Sequence, residues 1–365
     1  MKNTFGNSIT ITLFGESHGE YIGVVLDGLA PGIKINHEFI KSKLDLRRPG
    51  SKISTARIEG DEYSIVSGVY NGYTTGTPLC ILIPNTNKKS GDYEKFFDIP
   101  RPSHADFAAG CKYRGFEDKR GGGHFSGRIT AALVAAGAIV QSALEGKGIK
   151  IGSHITELHG AFDRPFENLS EDIDLLSCRK FPTLDTRAEE KMTKEIEKAA
   201  ELSDSVGGIL ESAVIGVPAG VGEPWFDSLE SMLSHGLFSI PAVKGVEFGL
   251  GFAFADVYGS EGNDPFRMQG DKVVTETNNN GGINGGITNG MPIIFRTVIK
   301  PTPSIFKEQM SVSLSDKKNT SLKIEGRHDP AIIHRARVVV DAVTALVIAD
   351  MLTIKYGTDY LSTKD

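Results

Sequence analysis

Cysteine is scarce in this chain of 365 residues: Cys80, Cys111 and Cys178 are the whole supply, odd in number and widely spaced. That excludes a disulfide framework and a Cys-rich zinc module, and it fits a reducing cytoplasm. An excess of positive charge is also missing. The formal net charge is −6, so a general affinity for nucleic acid or anionic membrane is not expected. Neither Gly-x-x-x-x-Gly-Lys-Ser/Thr nor Gly-x-Gly-x-x-Gly occurs, which removes support for a P-loop or a dinucleotide-binding turn. No His-x-x-x-His or His-Glu-x-x-His spacing suggests a metal site. The N-terminus carries no secretory pattern. The most apolar run, Ile129 to Leu144, is bracketed by Arg128 and Glu145; it is shorter than a bilayer span and reads as a helix inside the protein.

What is present begins at the N-terminus. Ile9, Ile11 and Leu13 alternate as in a half-buried strand, and Gly23 to Gly28 reads as a second strand. Between them Gly15-Glu16-Ser17-His18-Gly19 sets polar groups on a tight connection, a common place for chemistry on a rigid sheet. Gly15-x-Ser17-x-Gly19 also fits the nucleophile elbow of serine hydrolases, but that motif needs a helix after the turn, and the residues that follow lack a helical period. Further on, helices are expected near His37 to Leu46, from Ile129 to Leu144, from Arg187 to Ser205 on the surface, and from Ala336 to Thr353 in the interior. Strands are expected at Gly208 to Val217, Val246 to Val257 and Pro292 to Ile299. Strands and helices come in blocks without βαβ alternation, and no linker divides the chain, so the expectation is one α+β domain spanning residues 1–365 with antiparallel sheets.

Two glycine-rich passages stand out. Gly121-Gly122-Gly123-His124-Phe125-Ser126-Gly127-Arg128 leads into the Ile129 helix, whose N-terminal amides suit an anion. In the second, Thr277 to Gly290, paired glycines allow a ligand close to the backbone. Cations and histidines recur beside Gly or Pro: Arg47-Arg48-Pro49-Gly50-Ser51-Lys52, Arg101-Pro102-Ser103-His104, Arg128, Lys300-Pro301-Thr302-Pro303-Ser304, and Arg327-His328-Asp329-Pro330. Rigidly held arginines serve bidentate capture of phosphate and carboxylate. The implied partner is a small polyanion, with His18, His104 and Asp329 available for proton transfer.

Nine separated blocks occur in the order found in chorismate synthases, and over nearly its whole length the chain resembles that family. The blocks are Gly15 to Gly19 with Asp27-Gly28, Arg47 to Gly50, Thr74 to Thr77, Arg101 to Asp106, Arg120 to Gly123, Val217 to Gly220 with Gly222-Glu223-Pro224, Val243 to Glu247, Lys300 to Thr302, and Gly326 to Pro330. The resemblance implies a lyase that eliminates phosphate from 5-enolpyruvylshikimate 3-phosphate to give chorismate. It also implies a requirement for reduced FMN, with NADPH as a candidate reductant, a layered α/β sandwich with an internal helical layer, and a homotetramer.

Carried over by motif, the resemblance gives His18 the protonation of reduced flavin, while His104 would protonate the departing phosphate or hold its proton. Asp329 would assist removal of the substrate C6 proton at the flavin. Arg47, Arg48, Lys52, Arg101, Arg128 and Arg327 would bind the substrate anions, Arg327 also serving the flavin. His124, Phe125, Ser126, Pro241, Ala242, Gly285, Lys300, Pro301, Thr302, Pro303 and Ser304 would line the cofactor. Four departures from the family pattern occur: His124-Phe125 in place of Arg-Ser, Pro241 for Asn, Leu46 for Arg, and Asp341 for Glu. The last is expected to be structural. A serine hydrolase using Ser17, or a non-catalytic flavin- or phosphate-binding protein, are the competing readings.

Overall fold

The computed structural model describes residues 2–49, 60–86, 98–324 and 329–363. Of the residues named above, Gly50, Ser51, Lys52, Gly326, Arg327 and His328 lie outside them. Two five-stranded antiparallel sheets flank the core. In the first, the strand order is Thr4–Phe5, Thr10–Gly15, Tyr21–Asp27, Leu79–Pro84, Ser64–Ser67; in the second it is Val243–Phe248, Ile293–Ile299, Gly208–Ile215, Lys150–Leu158, Ala161–Phe162. Between them lie the Thr130–Gly146 and Ile333–Tyr356 helices, packed on each other; the first faces the inner strands of one sheet and the second those of the other. Helices enclosed on all sides need apolar residues around their whole circumference. Ala131 to Val140 and Val338 to Ala349 supply them.

The two helices approach closely because Gly137 faces Ala342: a Cβ at Gly137 would stand 2.4 Å from that of Ala342. The Gly127–Gly146 segment is long and apolar enough to span a bilayer, so the shorter length expected from Ile129 to Leu144 is corrected; most of it is buried inside the protein. Asp341, wholly buried, accepts from Ser153 Oγ at 2.5 Å and pairs with Arg337 at 3.4 Å, a structural role deep in the core.

Expected helices are found at His37–Arg47, Thr130–Gly146, Thr186–Glu201 and Ile333–Tyr356. The expected Val246 to Val257 strand is shorter. It runs Val243–Phe248 and gives way to a 3₁₀ turn at Gly251–Asp256, because Gly249 and Gly251 both take φ of 56°, outside the strand region. Asp350 on the last helix accepts the backbone N–H groups of Asn7, Ser8 and Ile9 at 2.7–2.9 Å. This fixes the start of the strand that carries the His18 turn.

Candidate active site

The strands Thr10–Gly15 and Tyr21–Asp27 pair in register from Thr10 opposite Asp27 to Gly15 opposite Ile22, and residues 16–20 close the hairpin. Gly15 makes this closure possible: its φ is 93° and a Cβ would fall 2.4 Å from the Tyr21 carbonyl. A strand follows the turn where the nucleophile elbow requires a helix, which removes the structural basis for Ser17 as a hydrolase nucleophile. Ser17 Oγ instead lies 3.1 Å from His18 Nδ1.

The turn docks on the glycine-rich passage. Ser17 donates its N–H to the Gly123 carbonyl at 3.0 Å, and His124 Nδ1 donates to the Gly15 carbonyl at 2.8 Å. His18 is only 3% exposed and lies under Gly121. Approach to the following helix is through two 3₁₀ turns, Gly123–Phe125 and Gly127–Ile129, and the Ser126 hydroxyl accepts from Arg128 N. The expected anion site at the helix entry is thus partly capped by the chain itself.

On the other side of Gly121 stands a second cluster. Arg101 donates from Nη2 to the Gly121 carbonyl at 2.8 Å and holds Asp106 through Nε at 2.8 Å and Nη2 at 2.7 Å. His104 Nδ1 is 2.6 Å from Asp106 Oδ1. We assign the Nδ1 proton to that short bond, since a carboxylate is acceptor only; Nε2 is then left for chemistry. Burial pushes the Asp106 carboxyl up, but bonds from Arg101 and His104 outweigh it and hold the carboxyl well below the usual carboxylate range. A cavity of about 180 Å³ opens beside His104, Asp106, Gly122 and Phe125.

The third cluster gathers Arg47, Arg48 and Arg128 around Asp61. Arg47 reaches Asp61 at 2.7 Å, Arg128 bonds its other oxygen, and Arg48 Nε lies 3.7 Å away. Arg128 also donates to Asn85 Oδ1 at 2.9 Å, and Asn85 in turn donates to the Glu16 and Gly19 carbonyls at 3.0 Å. The His18 turn and the arginines are therefore joined through Asn85. Arg335 completes the chain of contacts, donating to Asp329 at 2.8 Å and to the Arg47 carbonyl at 2.8 Å.

Among the residues expected at the cofactor, Lys300 joins this region directly: Nζ donates to the Ser103 carbonyl at 2.7 Å and its N–H to the Ala242 carbonyl at 2.9 Å. Burial, then the nearby Lys244 charge, lower its ammonium pKa. Thr302 Oγ1 is buried with no hydrogen-bond partner among the described residues, Ser304 is buried, and Pro301 and Pro303 flank them. Phe125 is 38% exposed. In the Thr277 to Gly290 passage, the expected opening to a ligand is mostly corrected. Gly281, Gly282 and Gly286 abut the protein's own backbone, whereas Gly285, with φ of 62°, has nothing within 4 Å of its Cβ direction. Pro241 is exposed and lacks the amide that an asparagine would offer.

Asp61, Asn85, Asp106 and Arg335 are the residues that the sequence reading did not single out. Asp106 lay within reach, two residues after His104 in the same block. Asp61 and Asn85 are distant in sequence from the groups they hold.

Two antiparallel sheets around a helical pair, with two histidines and a set of oriented arginines gathered around the His18 turn, suit an enzyme that acts on a small polyanion. Residues 9–353 match the family model described as chorismate synthase. Similar proteins include the chorismate synthases of Pyrococcus abyssi, 48% identical over 96% of this chain and 97% of that protein, and Dehalococcoides mccartyi, 45% identical over 96% of each. A solved structure titled as a crystal structure of chorismate synthase superposes with a TM-score of 0.75 at 28% identity, covering 97% of this chain and 94% of that one. The chain belongs to the chorismate synthase family. It is a lyase that converts 5-enolpyruvylshikimate 3-phosphate to chorismate and phosphate, the last common step of the shikimate pathway.

Proposed function

We propose that the elimination takes place where the His18 turn, the Arg101–His104–Asp106 cluster and the Asp61-centred arginines meet. The observation that carries this reading is the shared position of Gly121, packed over His18 and accepting from Arg101. The substrate bears a phosphate and two carboxylates, and guanidiniums on a rigid backbone bind such groups bidentately. Arg47, Arg48, Arg101 and Arg128 take these anions, with Lys52 and Arg327 completing the set. His104, its Nδ1 proton committed to Asp106, delivers a proton from Nε2 to the departing phosphate. His18 holds a second proton in a seat sheltered from water. Asp329, oriented by Arg335, assists removal of the C6 proton.

Reduced FMN is the proposed cofactor, and the residues present suit it. The buried Thr302 hydroxyl lacking a partner among the described residues, the Lys300 cation, the accessible Phe125 ring and the open side of Gly285 match a phosphate, a planar ring system and a close backbone approach. His124, Ser126, Pro241, Ala242, Pro301, Pro303, Ser304 and Arg327 complete the proposed lining. When bound, reduced FMN supplies electron density to the substrate ring. NADPH is the proposed reductant; bleaching of enzyme-bound FMN by NADPH without air tests it.

The chain acts as a single domain, since one contiguous core runs from Ile9 to Leu361. It works in the cytoplasm and assembles as a homotetramer; the exposed rings of Trp225, Phe226, Phe252 and Tyr258 support the assembly. Light scattering that returned a monomer at working concentration would refute the assembly. The function is tested by replacing His104 with Ala and following phosphate release.

A further inference from the structure

We propose that Asp61 is a positioning residue for substrate binding, whose carboxylate holds Arg47, Arg48 and Arg128 in the arrangement that receives the substrate's anions. The inference rests on the substrate-binding role proposed above for these arginines. Asp61 is 3% exposed and sits at φ 45°, in the left-handed region that non-glycine residues seldom occupy. Its two oxygens are divided between partners: Oδ2 takes Arg47 Nη2 at 2.7 Å, and Oδ1 takes Arg128 Nη1. Arg48 bonds the carbonyl of Gly60, the preceding residue, and pairs with Asp45 at 2.6 Å.

Three guanidiniums crowded together repel one another, most strongly where water is excluded. The Asp61 carboxylate between Arg47 and Arg128, with Asp45 on Arg48, cancels part of that repulsion. It also fixes orientation. With one edge of Arg47 and one of Arg128 spent on Asp61, and Arg128 Nε spent on Asn85, their planes are set before substrate arrives, which lowers the ordering cost of binding. Burial pushes the Asp61 carboxyl up, but the Arg47 and Arg128 charges outweigh it and keep it ionised.

Asp61→Asn keeps the shape and tolerates the left-handed backbone while removing the charge. The expected result is a KM for 5-enolpyruvylshikimate 3-phosphate raised by about tenfold or more, with kcat and FMN affinity close to wild type and a lowered thermal midpoint, since buried guanidiniums lose their counter-charge. A folded variant with wild-type KM, or one in which kcat falls while KM stays, overturns the proposal. Should Asp61→Asn not fold, Asp61→Glu retains the charge and moves it: a raised KM with normal FMN affinity supports the positioning role, and an unchanged KM overturns it. Wild-type protein that releases no phosphate would instead refute the underlying assignment of the site.

Discussion

A Cβ built on Gly121 would stand 2.4 Å from Cε1 of His18 and 2.6 Å from its Nδ1. The glycine-rich passage is closed on the imidazole as far as a residue with no side chain permits, and Gly121 holds φ of 69°, where a Cβ is further disfavoured. Gly121→Ala should therefore push His18 from its seat and lower kcat by about tenfold or more, matching His18→Ala. Near-normal turnover in Gly121→Ala would show that the position of His18 does not matter.

The His104–Asp106 bond calls for a graded set of variants. His104→Ala should lower kcat by an order of magnitude or more with little change in thermal midpoint, because the ring is partly exposed. Asp106→Asn should also lose kcat, since an amide can donate to Nδ1 and stabilise the wrong tautomer. The Asp106 carboxyl pKa is depressed, so the stability from its ionised form is complete above the ordinary carboxylate value. It is lost only as pH falls through the lower folded value, and mild acid should leave the cluster formed. Disruption already at pH ~5, above the unfolded value, would contradict this arrangement.

Asp329 is held by Arg335 at 2.8 Å. If it assists proton removal, Asp329→Asn should lower kcat while KM for the substrate changes little. Steady-state kinetics separates the two, and a wild-type kcat would remove Asp329 from the mechanism.

The frame of the fold was legible in the sequence because its signals are local. The interior Thr130–Gly146 and Ile333–Tyr356 helices are apolar on every side, and the hairpin around His18 is bounded by Gly15 and Gly19. His18, His104 and the arginines were marked by neighbouring Gly and Pro. What was not legible depends on tertiary contact. Asp61 meets Arg128 across 67 positions and Asn85 meets Glu16 across 69, and no periodicity encodes such pairs. The close packing of Gly281 and Gly282 on Gly249, Ile294 and Pro292 likewise looks, in sequence, like an open loop.

His334, buried and stacked on Phe181 with ring centroids 5.9 Å apart, gives a pH prediction independent of catalysis. Burial, with the Arg335 charge adding to it, pushes its pKa from 6.5 down to about 3. Between those values the unfolded chain binds the extra proton, so stability rises with pH across that window and is lost as pH falls. At pH 5 the penalty is roughly 2 kcal/mol relative to neutral pH. His334→Leu should flatten the denaturant-midpoint profile between about pH 4 and 6.5 by one proton's slope; an unchanged slope would mean that His334 is not the group responsible.

The most direct test of the account is anaerobic incubation of the protein with 5-enolpyruvylshikimate 3-phosphate and chemically reduced FMN, following chorismate absorbance and phosphate release together. Both products should form in equal amounts, and only with the reduced flavin. FMN binding with neither product formed, or equal rates without flavin, would contradict it.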